Sequence, residues 1–304
     1  MTAMGAEPAS AKRKVIKRIL AGTDFSRPAS NAVLRATMLA AEHAAKLEIV
    51  HVTPRIDRAR LKRLGLGGST AASSEALLRE RLAEAADHAR AQGVTVTVQL
   101  LKGSAPALLA REAGRSADLV VLGYGGERSL KNALIGTTAE RVLERWTGDT
   151  LIVRNAPRRP YETLLACVAL GPLSPSVVMS AMALSAQARL HILHAYQPPF
   201  EMKLLHHNVG AGAVPKHRAA TKREAVRAMA ELLDRCPVQG DRHVERHIRY
   251  GDPSTLIPGA AVRHGADVIV MGKNLSALEE LFLGSVTKKV VRAARTDVLI
   301  SDSR

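Results

Sequence analysis

Short apolar runs alternate with longer amphipathic stretches along the whole chain. The runs VIKRILAG (15–22) and LEIVHV (47–52) have the length and the β-branched content of buried strands. Between them, PASNAVLRATMLAAEHAA (28–45) places its apolar residues at helical spacing. Strands that are separated by helices are joined by crossover connections and lie parallel in one sheet. The pattern therefore predicts an α/β protein with helices on both faces of a parallel sheet.

The same alternation continues through the first half of the chain. It predicts helices over 73–93, 105–114 and 137–146, and strands over 94–101, 118–123 and 150–154. In the second half it predicts strands over 163–170, 190–196, 243–250, 267–272 and 297–301, with helices over 177–188, 221–235, 253–265 and 285–294.

The two halves are copies of one pattern. ADLVVLG in the first half aligns with ADVIVMG in the second, and IGTTAERVL aligns with LGSVTKKVV. The prolines of NAPRRP (155–160) interrupt regular structure between them. An internal duplication with a period of half the chain predicts two domains of one fold. The expected division is a basic tail over 1–13, a domain over 14–154, a linker over 155–160 and a second domain over 161–304.

Composition supports two ordinary globular domains, since the chain has 304 residues of which 46% are hydrophobic. No stretch approaches the roughly 18 apolar residues of a membrane span, and MTAMGAEPASAKRKVIKR lacks the apolar segment of a signal peptide. We therefore expect a soluble, cytoplasmic protein. The net charge of +16 invites a nucleic-acid ligand, but aromatic residues form only 3% of the chain and offer few surfaces for base stacking. Nucleic acid is not expected as the primary ligand.

The cysteines and histidines predict no metal site. Cys167 and Cys236 lie apart in apolar or helical segments and are expected to be structural thiols. His51 and His194, in the second strand of each half, are expected at the edge of the core. No cysteine or carboxylate is expected to accompany the other candidate zinc ligands, which are His206, His207, His217, His243 and His247.

A glycine-rich segment, GYGGERSLKNALIGTTAE (123–140), follows the fourth predicted strand. In an open parallel sheet, ligands bind beyond the carboxyl ends of the strands. Gly123 and Gly126 would let the backbone approach a ligand that a Cβ atom would exclude. Gly136, Thr137 and Thr138 begin a helix, where unpaired N–H groups and the helix dipole favour an anion. These residues predict a phosphate cradle.

The spacing leaves a second interpretation open. Thr137 and Glu140 are spaced as a capping box, and Gly125 and Gly126 are typical of a loop turn. The segment is not a Walker A loop, because the chain contains no glycine-lysine-serine or glycine-lysine-threonine triplet. It also lacks the compact glycine triplet of dinucleotide-binding proteins.

Each half resembles a universal stress protein domain. Gly123, two residues, Gly126, nine residues, then Gly136 and Thr137 match the nucleotide-binding pattern of that family. ILAGTDFS (19–26) is similar to the family's first strand, with its aspartate at Asp24. The resemblance covers about 14–154 and 161–301, nearly the whole chain.

The resemblance implies two tandem Rossmann-like domains, each a five-stranded parallel sheet of order 3-2-1-4-5 with helices on both faces. It implies ATP, with accompanying Mg²⁺, bound across the strand ends. It also implies association through the fifth strands, first between the two domains of one chain and then as a homodimer. The residues that it assigns to the adenine nucleotide are Gly22, Asp24, the backbone near Leu47, Gly123, Gly126, Gly136, Thr137 and Thr138.

The second half departs from this pattern. Ala169 occupies the position of Asp24, Lys273 follows Gly272 without a second glycine, and Gly284 comes one residue early. We expect the first domain to hold ATP and the second domain to be mainly structural or sensory.

The sequence therefore predicts an ATP-binding regulatory protein of the stress response. Asp24 and Glu127 are the carboxylates near the predicted cradle, so little or slow hydrolysis is expected and no catalytic residue is assigned. Two alternatives remain open. One is a slow ATPase or another adenine-nucleotide-processing enzyme, and the other is a nucleotide-independent interaction scaffold.

Overall fold

The computed structural model describes residues 14–55, 70–125, 136–198, 213–236, 243–273 and 284–302. The chain forms two compact units, residues 15–160 and residues 161–303, which are called the first and the second domain. Several parts of the chain that the sequence analysis mentions lie outside the described residues. They are the predicted tail over 1–13, Gly126, Glu127 and most of the segment between the second strand and the following helix of the second domain.

Five parallel strands form the sheet of the first domain, in the order β3-β2-β1-β4-β5. Its elements are β1 (Arg18–Thr23), α1 (Arg27–His43), β2 (Lys46–Thr53), α2 (Thr70–Ala91), β3 (Val96–Lys102), α3 (Ala105–Ser116), β4 (Leu119–Gly123), α4 (Thr137–Arg145) and β5 (Asp149–Val153). The predicted order of 3-2-1-4-5 is confirmed.

The second domain repeats this topology in the order β8-β7-β6-β9-β10, again all parallel. Its elements are β6 (Thr163–Cys167), α5 (Ser174–Leu184), β7 (Arg189–Tyr196), α6 (Ala213–Arg235), β8 (Val244–Tyr250), α7 (Pro253–Arg263), β9 (Val268–Gly272), α8 (Ser285–Ala293) and β10 (Asp297–Ser301). Helix α6 begins at Ala213 rather than at residue 221.

Helix α1 lies close to the sheet because small residues face the strands. Ala32 and Ala36 are fully buried, and the helix packs on β1 and β4. Close packing of this kind makes an added atom between the helix and the sheet costly. Within the described part of the chain, every helix is too short or too polar to span a lipid bilayer.

One hydrogen bond at the sheet edge is repeated in both domains. The His51 Nδ1 atom lies 2.7 Å from the carbonyl oxygen of Thr23, and the His194 Nδ1 atom lies 2.9 Å from that of Val168. Each histidine thereby ties the second strand of its sheet to the end of the first. Burial lowers the pKa of His194, which favours a neutral imidazole at neutral pH.

Candidate nucleotide site

Three segments of the first domain meet at the carboxyl edge of its sheet, the edge formed by the carboxyl ends of the strands. They are the turn after β1, the residues after β4 and the start of α4. Strands β1 and β2 run in register from Arg18 opposite Lys46 to Thr23 opposite His51. The chain leaves β1 at Asp24 and leaves β4 after Gly123. Open parallel sheets bind their ligands at this edge.

Asp24 lies in the turn that leads into α1, and its side chain is exposed. Its Oδ1 atom accepts hydrogen bonds from the Ser26 amide at 3.0 Å and from the Ser26 hydroxyl at 2.5 Å. Ser26 is also the N-cap of α1, where its hydroxyl accepts from the Ala29 amide at 3.4 Å. The carboxylate is therefore held at the edge by the same residue that starts the helix.

Phe25 adds an aromatic ring beside this carboxylate. Its backbone is left-handed, with φ of 62°, and its ring centroid lies 4.6 Å from that of His51. The guanidinium carbon of Arg81, from α2, lies 4.5 Å from the centre of the Phe25 ring, within cation–π range. Neither Phe25 nor Arg81 was predicted as a site residue from the sequence, although Phe25 directly follows Asp24.

Gly123 is required for the packing of α1 on the sheet. A Cβ atom at this position would lie 2.5 Å from the carbonyl carbon of Pro28, 2.6 Å from its oxygen and 2.8 Å from the Ala29 nitrogen. These are backbone atoms of the first turn of α1, so only a shift of the helix could make room for a Cβ atom. The glycine therefore lets α1 pack on the end of β4.

Gly136 is the N-cap of α4 and brings that helix to the carboxyl edge. Its φ of 99° lies in a region that favours glycine, and a Cβ atom there would lie 3.3 Å from Gly125 Cα. Among the residues that the structure describes, no side chain caps α4, and Thr137 is its first helical residue instead of the cap. The capping box that the sequence left open therefore does not start this helix. The first N–H groups of α4 receive no side-chain acceptor from a cap.

Leu47 lies at the opposite edge of the sheet, so its predicted place near the nucleoside is corrected. It pairs with Ile19 at the start of β1 and is 1% exposed. A cavity of about 220 Å³ that Leu47 helps to line is at this amino edge as well. Val52 and Thr53 occupy the carboxyl end of β2 instead.

Gly22 lies at the predicted end of β1 but faces the core. A Cβ atom at Gly22 would lie 2.7 Å from the Cδ2 atom of Leu122 and 3.2 Å from the Cδ1 atom of Leu109. Any contact of this residue with a ligand is therefore limited to its backbone. Thr137 is exposed and Thr138 is partly exposed at the start of α4, which leaves both hydroxyls near the edge.

The residue that follows the fourth strand differs between the domains. In the first domain it is Tyr124, and the guanidinium carbon of Arg154 lies 3.4 Å from the centre of its ring. In the second domain it is Lys273, whose Nζ atom lies 3.0 Å from Asp302 Oδ2. The side chains of this ion pair are only 9% and 13% exposed. The second domain thus has the buried Lys273–Asp302 ion pair at the position where the first domain has the cation–π pair of Arg154 and Tyr124.

Further hydrogen bonds close the corresponding edge of the second domain. The Thr287 hydroxyl donates to the carbonyl oxygens of Gly272 and Lys273, at 3.2 Å each. The Gly284 amide also donates to the Lys273 carbonyl at 3.2 Å. Ala169 brings no carboxylate to this edge. The Gly284 amide therefore donates its hydrogen bond within the protein and is not available to bind an anion.

The model of the universal stress protein family matches residues 16–154 and again 160–301. The chain belongs to the universal stress protein family. Its tandem two-domain organisation, predicted from the sequence, is confirmed by this double match.

Known relatives of this universal stress protein span one or both of its domains. A universal stress protein of Thermus aquaticus is 33% identical over 126 residues, which cover 41% of this chain and 85% of the relative. A universal stress protein of Mycolicibacterium smegmatis is 24% identical over 301 residues, covering 93% and 96%. The crystal structure of a universal stress protein from Archaeoglobus fulgidus has a TM-score of 0.67 at 16% identity, covering 94% and 98%. At this identity the structural likeness shows the fold alone.

Proposed function

We propose that this universal stress protein is an ATP-binding regulatory protein of the stress response, with the nucleotide at the carboxyl edge of the first domain. A continuous chain of contacts carries the proposal. The Asp24 carboxylate is held by Ser26 at the start of α1, and that helix start lies against Gly123. Two residues further along, Gly125 lies against Gly136 at the start of α4.

The two ends of this chain of contacts suit the two ends of a nucleotide. Asp24 offers an exposed carboxylate that can accept hydrogen bonds from ribose hydroxyls. The start of α4 offers amide donors, a helix dipole and the hydroxyls of Thr137 and Thr138 to phosphate groups. Phe25 presents an aromatic surface beside Asp24. Mg²⁺ would enter with the phosphates, because it keeps several water ligands and needs only one or two carboxylates from the protein.

The second domain is proposed to have a structural or sensory role. The Lys273–Asp302 ion pair, the absence of a carboxylate at Ala169 and the Thr287 hydrogen bonds all distinguish its edge from that of the first domain. Removing either partner of a buried ion pair is costly, so a ligand that displaced Lys273 from Asp302 would bind weakly.

Regulation is proposed to follow from occupancy rather than from turnover. A ligand that binds only the folded state stabilises it by about 2.7 kcal/mol when its concentration is 100 times its Kd. ATP levels can thereby change the stability of the first domain and the partners that it selects, without a catalytic residue.

The nucleotide that leaves the purified, heat-denatured protein provides the direct test. Mass spectrometry is expected to detect ATP, and added ATP with Mg²⁺ is expected to raise the melting temperature. A protein that is purified empty and whose melting temperature does not respond to ATP would overturn the proposal.

Homodimer formation is a further part of the proposal. β5 and β10 are the terminal strands of the two domains' own sheets, and a strand with a free edge exposes unpaired N–H and C=O groups. Pairing of β5 with β10, either within one chain or between two chains, would cover such edges. Light scattering coupled to gel filtration is expected to give the mass of two chains, and the mass of one chain would exclude the dimer.

Asp24→Asn is expected to weaken ATP binding by about 10- to 100-fold, because a charge-assisted hydrogen bond contributes roughly 1.5–3 kcal/mol. Asparagine can still accept the Ser26 hydrogen bonds, so the turn is expected to keep its shape. The matched control is Asp252→Asn in the second domain, since Asp252 is the N-cap of α7 and accepts from the Ser254 amide at 3.2 Å. Calorimetric titration measures both variants. Equal ATP affinity in Asp24→Asn and Asp252→Asn would exclude Asp24 from the site.

A further inference from the structure

Four side chains with metal-ligating atoms come together in the second domain, away from the carboxyl edge. They are His191, Glu245, His247 and His264, and one ligand atom from each lies within 4.8 Å of those of the others. His191 is the third residue of β7, and Glu245 and His247 lie in β8. His264 is the C-cap of α7, a helix that packs on β7.

Strand register explains why three of these residues meet. His191 lies opposite Glu245, and His247 follows two residues later in β8. Because successive side chains of a strand point to opposite faces, Glu245 and His247 lie on the same face of the sheet. His264 lies over the same face of the sheet. The centroid of its ring is 4.6 Å from that of His191 and 4.4 Å from that of His247.

The distances within this His–Glu cluster match those around a zinc ion. His191 Nδ1 lies 3.1 Å from His247 Nε2, and Glu245 Oε2 lies 3.5 Å and 3.6 Å from these two atoms. With metal–ligand bonds of about 2.0–2.1 Å, the ligand atoms of a tetrahedral zinc site are about 3.3 Å apart. The three atoms thus lie close to three corners of such a tetrahedron.

The environment favours the forms of these groups that bind metals. The side chains of His191 and His247 are 8% and 13% exposed. Burial and the neighbouring His264 lower the pKa of both His191 and His247, which favours neutral imidazoles. A hydrogen bond from His243 lowers the pKa of Glu245, which favours the ionised carboxylate. Neutral imidazole and ionised carboxylate are the ligand forms that zinc requires.

We propose that the second domain binds one zinc ion through His191, Glu245 and His247, with His264 as the fourth ligand. Four protein ligands make a closed site of the structural kind, which joins β7, β8 and the end of α7. His243 Nε2 lies 2.9 Å from Glu245 Oε1 and orients the carboxylate through its second oxygen.

The first domain provides an internal comparison. Its strands β2 and β3 carry Glu48 and Gln99 at the register positions of His191 and His247, and these two side chains are hydrogen-bonded to each other. Thr97 occupies the position of Glu245. Glutamine and threonine are poor zinc ligands, so one zinc site per chain is expected.

The test uses the full chain without a histidine tag, stripped of metal by a chelator. Titration with zinc in competition with a chromophoric chelator is expected to give one ion per chain. Cobalt in place of zinc is expected to give the visible absorption of a tetrahedral site. Glu245→Gln and His247→Ala are each expected to weaken zinc binding by about tenfold or more, since loss of even an outer-shell partner typically costs 10- to 100-fold.

The matched control is His88→Ala, which removes an exposed histidine from α2 of the first domain and is expected to leave zinc affinity unchanged. Glu245→Gln preserves the size of a side chain that is 44% exposed, so it keeps the test valid if His247→Ala fails to fold. The metal-free alternative is a stacked and hydrogen-bonded histidine cluster. Zinc that binds no more tightly to the wild type than to Glu245→Gln would establish that alternative and overturn the proposal.

Discussion

Gly136→Ala is expected to abolish most of the ATP-dependent rise in melting temperature while leaving the chain folded. Its φ of 99° is a conformation that costs a residue with a Cβ atom about 1–3 kcal/mol. The added Cβ atom would also press on the backbone of Gly125, 3.3 Å away. Relief of this strain moves the start of α4 and its amide donors, so calorimetry is expected to show ATP affinity reduced by about tenfold or more.

Gly284→Ala is the matched control for this substitution. Gly284 is the N-cap of the equivalent helix, but its φ of −56° is accessible to any residue. The same chemical change at the same place in the second domain is therefore expected to leave ATP binding unaltered. If Gly136→Ala bound ATP as tightly as the wild type, the start of α4 would not be the phosphate site. Loss of ATP binding in Gly284→Ala would instead show that the second domain takes part.

Gly123→Ala is expected to destabilise the first domain by about 1–3 kcal/mol or more, the usual cost of overpacking a well-packed core. The new Cβ atom would lie 2.5 Å from the carbonyl carbon of Pro28, and only displacement of α1 can relieve this contact. Because the turn that holds Asp24 leads directly into α1, the displacement is also expected to weaken ATP binding. Guanidinium denaturation measures the first effect, and calorimetry measures the second.

Gly114→Ala makes the same chemical change in the same domain but is expected to have the opposite effect on its free energy of unfolding. A Cβ atom at Gly114 would have no neighbour within 4 Å, and the residue lies inside α3. Replacement of a helix glycine by alanine there is expected to stabilise the domain by roughly 0.5–1 kcal/mol. Equal stability of Gly123→Ala and Gly114→Ala would contradict the close packing of α1 on β4.

The order of strands and helices was predictable because parallel strands that are buried on both faces appear as continuous apolar runs. VVL in β4 and VIV in β9 are unbroken apolar runs whose residues are all buried. The early start of α6 was not predicted, and Pro215 falls in its first turn. Proline is tolerated in the first turn of a helix, where its missing N–H is not needed, and α6 begins at Ala213.

The role of each glycine in the site was less predictable than its position. The sequence places Gly123 after a strand, but only the packing of α1 shows that its missing Cβ atom makes room for Pro28. This contact is a tertiary one that no local pattern encodes. The place of Leu47 was readable from the sequence, because Leu47 is the first residue of the predicted strand LEIVHV and therefore lies at its amino end, where it pairs with Ile19.

The His–Glu cluster shows a local signal that was missed. The expectation that no carboxylate accompanies His243 and His247 is wrong, because Glu245 lies between them in β8. Glu245 and His247 are two residues apart in β8, so their side chains lie on one face of the strand, and His243 directly precedes this strand. His191 and His264 belong to other elements, so their approach depended on strand order and on the placement of α7.

Calorimetric titration of the full chain with ATP and Mg²⁺ tests the central claim most directly. The account predicts one site per chain, which Gly136→Ala weakens by about tenfold or more and Gly284→Ala preserves. Two equal tight sites per chain, or one site that survives Gly136→Ala and disappears in Gly284→Ala, would contradict it.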